Sequence, residues 1–342
     1  MKNNYLVLIL MINFASLING QTLVPDDNFE AYLETHDANG NLVPLGDVNS
    51  LGDGNINNDN VPTSKILNVI NLNISNRGIL ALTGIEDFVS LETLICNGNK
   101  LTFLDVSTNI NLKTLLIGLN QLSILDITSN VALEVLDISD NQISVLNILS
   151  NTSLKRLTCS DNRLGVLDIS QNSSLEFLAV TNNQLTNLNI NNNTNLTSLF
   201  CASNQITNLN LLANTVLKNL DASDNLITSL DLSKFNSQTC PNPQTNPATL
   251  CQGPATINIS KNQLSSLTMN NGFNNLISTF NSEDNPDLFC IQTDSGFTPP
   301  LNWVKDDWTY YSENLCADIY TYVPDDNFEA YLEANGFGDN IA

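Results

Sequence analysis

Residues 112–132 read LKTLLIGLNQLSILDITSNVA, and residues 133–153 read LEVLDISDNQISVLNILSNTS. Laid one over the other, both have leucine at positions one and four and asparagine at position nine. The same marks recur every 21 residues on either side. Leu91, Leu112, Leu133, Leu154, Leu175, Leu196 and Leu217 open seven copies in register. Leu94, Leu115, Leu136, Leu157, Leu178, Leu199 and Leu220 follow three residues later. Position nine is Asn99, Asn120, Asn141, Asn162, Asn183, Asn204 and Asn225 in turn. A unit this short cannot bury its apolar side chains alone, so the copies must stack, and the chain is expected to form a solenoid.

Each copy also holds a shorter echo of itself. Leu94-x-Cys96-x-x-Asn99 is answered by Leu104-x-Val106-x-x-Asn109, and Leu115-x-Ile117-x-x-Asn120 by Leu125-x-Ile127-x-x-Asn130. Apolar residues two apart suit a short strand with one face buried. Two such strands per coil are expected, on opposite sides, stacked at the usual ~4.8 Å between neighbours. Where the chain turns off a strand inside the stack, backbone groups lose their ladder partners. An inward asparagine carries both donors and an acceptor and can satisfy them.

The pattern L-x-x-L-x-x-x-x-N-x-L-x-x-L-D-I-S-x-N resembles the bacterial leucine-rich repeat in its nested 21-residue form, often called IRREKO-type. The opening copy, Val69-x-x-Leu72-x-Ile74, is 22 residues long and has Arg77 in place of the asparagine. It ends in Leu82-x-x-Ile85-x-x-Phe88, which looks like the more helical repeat of internalins. The resemblance implies a mainly β solenoid, a horseshoe or superhelix built on a parallel sheet. It also implies a recognition scaffold, and names no ligand. After Asp231 the register is interrupted by a Pro- and Asn-rich insertion and resumes at Ile257-x-Ile259-x-x-Asn262.

The organisation that follows is a secretory signal peptide over 1–20, an N-terminal cap over 21–68, leucine-rich repeats over 69–289 with an insertion at 235–253, and a C-terminal cap over 290–322. The signal peptide is read from Lys2, the apolar run Tyr5 to Ile18 and the small residue Gly20. In the N-terminal cap, Asp27 and Glu30 suggest a capping box before Phe29, Tyr32 and Leu33, and so a short amphipathic helix. The eleven residues VPDDNFEAYLE occur at 24–34 and again at 323–333. Residues 323–342 therefore read as the start of a second, truncated cap, and a further tandem module is expected. Similar caps open leucine-rich-repeat modules in secreted proteins of Bacteroidetes-like bacteria.

Of seven cysteines, Cys96, Cys159 and Cys201 occupy inward position six and read as buried free thiols. Cys240 and Cys251 bracket the insertion, and an oxidising compartment favours a disulfide there. Cys290 and Cys316 are expected to staple the C-terminal cap. There is no Cys-x-x-Cys, so no metal site and no cofactor is expected. Asp47-x-Asn49 and Asp53-Gly54-Asn55 carry pieces of a calcium loop, but the fit is poor because Asn60 stands where a bidentate acid belongs.

The formal net charge of −23 argues against nucleic-acid partners and anionic membranes. The one apolar run is too short to span a bilayer, so no membrane insertion is expected. His36 is the single histidine and reads as an exposed loop residue. Asp105, Asp126, Asp168 and Asp231 recur at one repeat position and would share one environment, unlike a catalytic pair. No enzymatic activity is expected.

A binding surface can be specified from the register. Positions three and five of the main strand point outward on the concave face. They bring Phe177 and Phe200 onto adjacent coils, near Arg156 and Asp137, while Ile95, Leu116 and Leu119 form a second apolar group. Trp303, Trp308, Tyr310 and Tyr311 are read as closing the core of the C-terminal cap. The expected function is recognition of a protein or glycan by a secreted or cell-surface module, in adhesion or as a scaffold. The alternative is an accessory binding segment of a longer secreted enzyme whose catalytic domain lies beyond residue 342.

Overall fold

A computed structural model describes residues 20–236 and 255–316. The signal-peptide segment before Gly20, the Cys240–Cys251 pair and the 323–342 repeat of the cap lie outside the described residues.

The chain opens with strand β1 (Gln21–Leu23), helix α1 (Asp27–Thr35), strand β2 (Asn60–Pro62) and the short helix α2 (Thr63–Ile66). β1 and β2 pair antiparallel. The cap of α1 is Asp26, one residue earlier than the capping-box reading. Its Oδ1 accepts from Asn28 N and Phe29 N, and its Oδ2 accepts from Leu80 N and Ala81 N of the first coil. One carboxylate thus ends the helix and fastens it to the solenoid. Glu30 and Glu34, four apart on one face of α1, are both buried. Glu34 accepts from Asp53 N and Gly54 N, and Glu30 from Asn57 N and Asn58 N. The loop that carried the calcium-like pattern is folded around these two helix carboxylates.

The solenoid strands then follow one per coil: β3 (Asn71–Asn73), β4 (Thr93–Ile95), β5 (Thr114–Leu116), β6 (Val135–Asp137), β7 (Arg156–Thr158), β8 (Phe177–Ala179), β9 (Ser198–Phe200) and β10 (Asn219–Asp221). Each occupies positions three to five of its repeat. They continue through β12 (Ala255–Asn258), β14 (Ile277–Asn281) and β16 (Trp303–Val304) into one sheet of 11 strands. All pairs are parallel, and Leu94, Leu115, Leu136, Leu157, Leu178, Leu199 and Leu220 align across the ladder. Leucines at positions one and four and the apolar residue at six are buried throughout. In the opening coil Leu82, Ile85 and Phe88 are buried around a 3-10 turn over Ile85–Asp87, as the helical variant of the repeat implies.

The second side differs from the expectation of two strands per coil. Backbone pairing there is confined to an isolated bridge between Asp105 and Asp126 and to a four-stranded sheet late in the chain. That sheet joins β11 (Ser229–Asp231), β13 (Ser266–Thr268), β15 (Cys290–Gln292) and β17 (Tyr310–Ser312). In the earlier coils single backbone bonds such as Gln121 N to Leu101 O and Gln142 N to Leu122 O link the coils where the chain enters this side, and side chains add further vertical links. Asn130, Asn151, Asn172, Asn193 and Asn214 each donate Nδ2 to two carbonyls of the coil before. The Oδ1 atoms of these five and of Asn109 are buried and accept nothing.

The position-nine asparagines are more fully used. Asn141 donates Nδ2 to Ile117 O of the coil before and to Ile138 O and Ser139 O of its own, each at 3.1 Å, while Oδ1 accepts from Leu122 N at 2.9 Å. The same scheme holds at Asn120, Asn162, Asn183, Asn204 and Asn225. Asn99 closes the opening coil by accepting from Arg77 N and Ile79 N.

At the C-terminal end a disulfide joins Cys290 and Cys316. Trp303 is buried against Phe280, with ring centroids 4.8 Å apart, and so closes the core as expected. Trp308 and Tyr310 do not, because both stand exposed. They fall just before and at the start of the last described strand.

Cys96, Cys159 and Cys201 are buried and free. Burial pushes the thiols of Cys159 and Cys201 up to about 12 and that of Cys96 higher still. These thiols are expected to ignore an aromatic disulfide reagent at pH 8 in the folded chain, since the thiolate is the reacting form. Unfolding without reductant should release three reactive thiols if Cys240 and Cys251 are bridged. A count of five would remove that second disulfide.

Candidate recognition surface

The outward side of the 11-stranded sheet is mostly half-buried rather than open, because side chains at positions three and five pack against those of the coils above and below. The apolar and charged groups on it are not evenly spread. Phe177 in β8 and Phe200 in β9 have ring centroids 5.5 Å apart, tilted at 43°. The guanidinium carbon of Arg156, from β7, lies 3.6 Å from the Phe177 ring centroid. Phe177 pairs in register with Arg156 on one side and Ser198 on the other, and Phe200 pairs with Ala179. The rings therefore occupy one diagonal of a four-residue square. Ala179 and Ser198, small residues on the other diagonal, are buried. Large side chains fit here because the residues beside them, Ala179 and Ser198, are small. Cation, ring and ring form a fixed column across three coils.

Asp137 does not join that column. Its Oδ1 accepts from Ser139 N and Ser139 Oγ, so it is spent closing its own turn. A run of polar side chains leads away on the other flank, from Ser198 to Asn219 to Thr256. Ile95 and Leu116 are register partners in β4 and β5. Leu119 lies beyond them at position eight, where the chain takes a left-handed turn.

Position eight has positive φ in every regular coil: Gly98, Leu119, Asp140, Asp161, Asn182, Ser203 and Asp224. Glycine, aspartate and asparagine tolerate that region, whereas a leucine is strained there. Leu119 is held at φ 56° and is 59% exposed, so no packing compensates. Leu119→Asn is expected to raise stability by about 0.5–1 kcal/mol, read as a higher urea midpoint. An unchanged or lowered midpoint would show that Leu119 contributes contacts of its own.

The remaining polar rows look structural. Glu92, Lys113, Glu134 and Lys155 alternate in sign at position two, with ion pairs Lys113–Glu92 at 2.8 Å and Lys155–Glu134 at 2.7 Å. Exposed pairs of this kind contribute little to stability. On the second side Asp105, Asp126 and Asp168 each accept from the backbone N–H two residues on. The Thr128 hydroxyl and then its N–H hold the Asp126 carboxyl below the usual carboxylate range, and Ser170, through its N–H and then its hydroxyl, does the same for Asp168. Both shift in the same direction.

Two features escaped the sequence reading. His36 is buried, not exposed: its ring stacks on Tyr32 with centroids 3.9 Å apart, and Nδ1 donates to Tyr32 O. The signal for it was its place four residues after Tyr32, where α1 ends. The second is an apolar row at position thirteen, on the second side. Phe103, Ile124, Val145 and Val166 stand 61%, 63%, 74% and 75% exposed on four successive coils. Their 21-residue spacing is legible in the sequence.

No family model matches the chain, and no curated protein matches it. Among solved structures it is similar to the functional domain of InlJ from Listeria monocytogenes, which includes a cysteine ladder. That match has 27% identity and a TM-score of 0.63, and covers 80% of this chain and 57% of the other. In this chain cysteine fills position six in only three of the coils. A leucine-rich-repeat protein of Leptospira interrogans matches at 21% identity and a TM-score of 0.54, over 68% of this chain and 58% of its own. Internalin C2 of Listeria monocytogenes matches at 20% and 0.51, over 60% and 90%. The chain thus spans less than two thirds of the first two proteins. No helix among the described residues is long and apolar enough to cross a membrane. Repeat, ladder and neighbours agree that this chain is a leucine-rich-repeat solenoid similar to those of bacterial leucine-rich-repeat proteins.

Proposed function

We propose that the chain is an exported, non-catalytic recognition module that binds a protein through the outward side of its long sheet. The single observation that carries this reading is the Arg156–Phe177–Phe200 column. Aromatic side chains and arginine dominate the energetics of protein interfaces. Here they are already ordered by their neighbours, so little side-chain entropy is lost on docking. The similarity to an internalin domain supports the class of partner, and the apolar run over residues 5–18 supports export.

A second reading is favoured by the exposed row at position thirteen, which would dock a partner on the opposite side. The two are separated by Val145→Asp combined with Val166→Asp. On the first reading the immobilised variant retains the proteins captured by the unaltered chain. Their loss would move the interface to the second side.

A further inference from the structure

Where α1 meets the first two coils, a cleft of about 410 Å³ opens between the N-terminal cap and the outward side of the sheet. Its wall is the Tyr32–His36 stack, and the guanidinium of Arg77 lies 5.3 Å from the Tyr32 ring centroid. Asn71 and Asn73 of β3 and Ile95 of β4 also line it.

Arg77 stands where the regular coils keep an inward asparagine. Its backbone N–H is satisfied by Asn99, and its side chain is exposed. This guanidinium, like those of Arg156 and Arg163, forms no ion pair among the described residues. Placed at the edge of a cleft and steadied by an aromatic ring, it is poised for an external anion. Asn71 and Asn73 add two exposed amides on one face of one strand, two residues apart; Asn73 Oδ1 already accepts from Ser75 N and Ser75 Oγ, so Asn73 offers its Nδ2 and Asn71 its whole amide. An amide both donates and accepts, which suits hydroxyl groups better than a second carboxylate. Ile95 adds an apolar surface beside them.

We propose that this cleft is a binding site for an acidic sugar of the hexuronate class. The carboxylate pairs with the Arg77 guanidinium, ring hydroxyls exchange hydrogen bonds with Asn71 and Asn73, and the C–H face of the ring lies against Ile95. The His36 ring, fixed by its own hydrogen bond to Tyr32 O, keeps the wall rigid before the ligand arrives. This site is independent of the protein-binding surface, which is centred four to five coils further on.

The test titrates the full chain with D-glucuronate, D-glucose and acetate, followed by calorimetry and amide chemical shifts. Glucuronate is expected to bind roughly tenfold or more tightly than either control, because only it presents both charge and hydroxyls. Arg77→Gln should weaken glucuronate by about tenfold at an unchanged melting temperature, and Asn73→Ala by several-fold. Capture of a protein partner should be untouched by either change. Absence of glucuronate binding, equal affinity for acetate or glucose, or full affinity in Arg77→Gln would each overturn the proposal.

Discussion

Asn141→Ala lowers the stability of the folded chain by about 3 kcal/mol, one of the largest single-residue effects expected outside the apolar core. The reason is the number of backbone groups that depend on one amide. Asn141 serves the carbonyls of Ile117, Ile138 and Ser139 and the N–H of Leu122, across two successive coils. Ile117, Leu122 and Ile138 belong to the dry core, where a stranded backbone group cannot turn to water. The bonds to three carbonyls share two protons, so their contributions do not simply add. Asn151→Ala should cost less, by about 1 kcal/mol or more, although Asn151 is fully buried too. Its Nδ2 serves two carbonyls, and its Oδ1 accepts nothing, so truncation also removes an unsatisfied acceptor. Chemical denaturation of the two variants side by side decides the matter. Equal losses, or a larger loss for Asn151→Ala, would contradict the division of labour between the two ladders.

Phe177→Asp with Phe200→Asp is expected to weaken a protein partner by about a thousandfold, which amounts to loss of capture. Two adjacent interface aromatics each contribute about 2 kcal/mol when truncated, and the new carboxylates would have to be desolvated in the contact. The fold should survive. Both rings are only half-buried, and the leucines beneath them, Leu178 and Leu199, are untouched. Losing the ring contact and the Arg156 stack costs the free chain about 1–2 kcal/mol, spread over a long array of coils. Phe177→Ala with Phe200→Ala removes the rings without adding charge. It should reproduce most of the binding loss, which separates lost contact from introduced repulsion.

Much of the architecture was legible in the sequence because the code of a solenoid is local. Every inward residue faces the same residue one coil away, so a period of 21 specifies register, core and ladder together. The Phe177–Phe200 pair followed from the same register, and the two rings do meet. What could not be read was anything depending on a contact between different kinds of unit. The cap of α1 sits at Asp26 rather than Asp27, because Asp26 also reaches Leu80 and Ala81, some fifty residues on. His36 looked like a loop residue until Tyr32 was found beneath it. Asp137 was placed beside Arg156 by register alone, and Ser139 draws it away. Trp308 was assigned to the core with the other aromatics of the stapled cap, and it stands exposed just before the last described strand. Arg77 was visible as a break in the asparagine pattern, but its meaning lies in a cleft that only the folded cap creates.

The most direct measurement compares the proteins retained by three immobilised chains: the unaltered sequence, Phe177→Asp with Phe200→Asp, and Val145→Asp with Val166→Asp. Circular dichroism should first confirm that all three are folded. The expected result is a set of partners shared by the first and third chains and missing from the second. Partners held equally by the unaltered and Phe-substituted chains would contradict recognition through the Arg156–Phe177–Phe200 column.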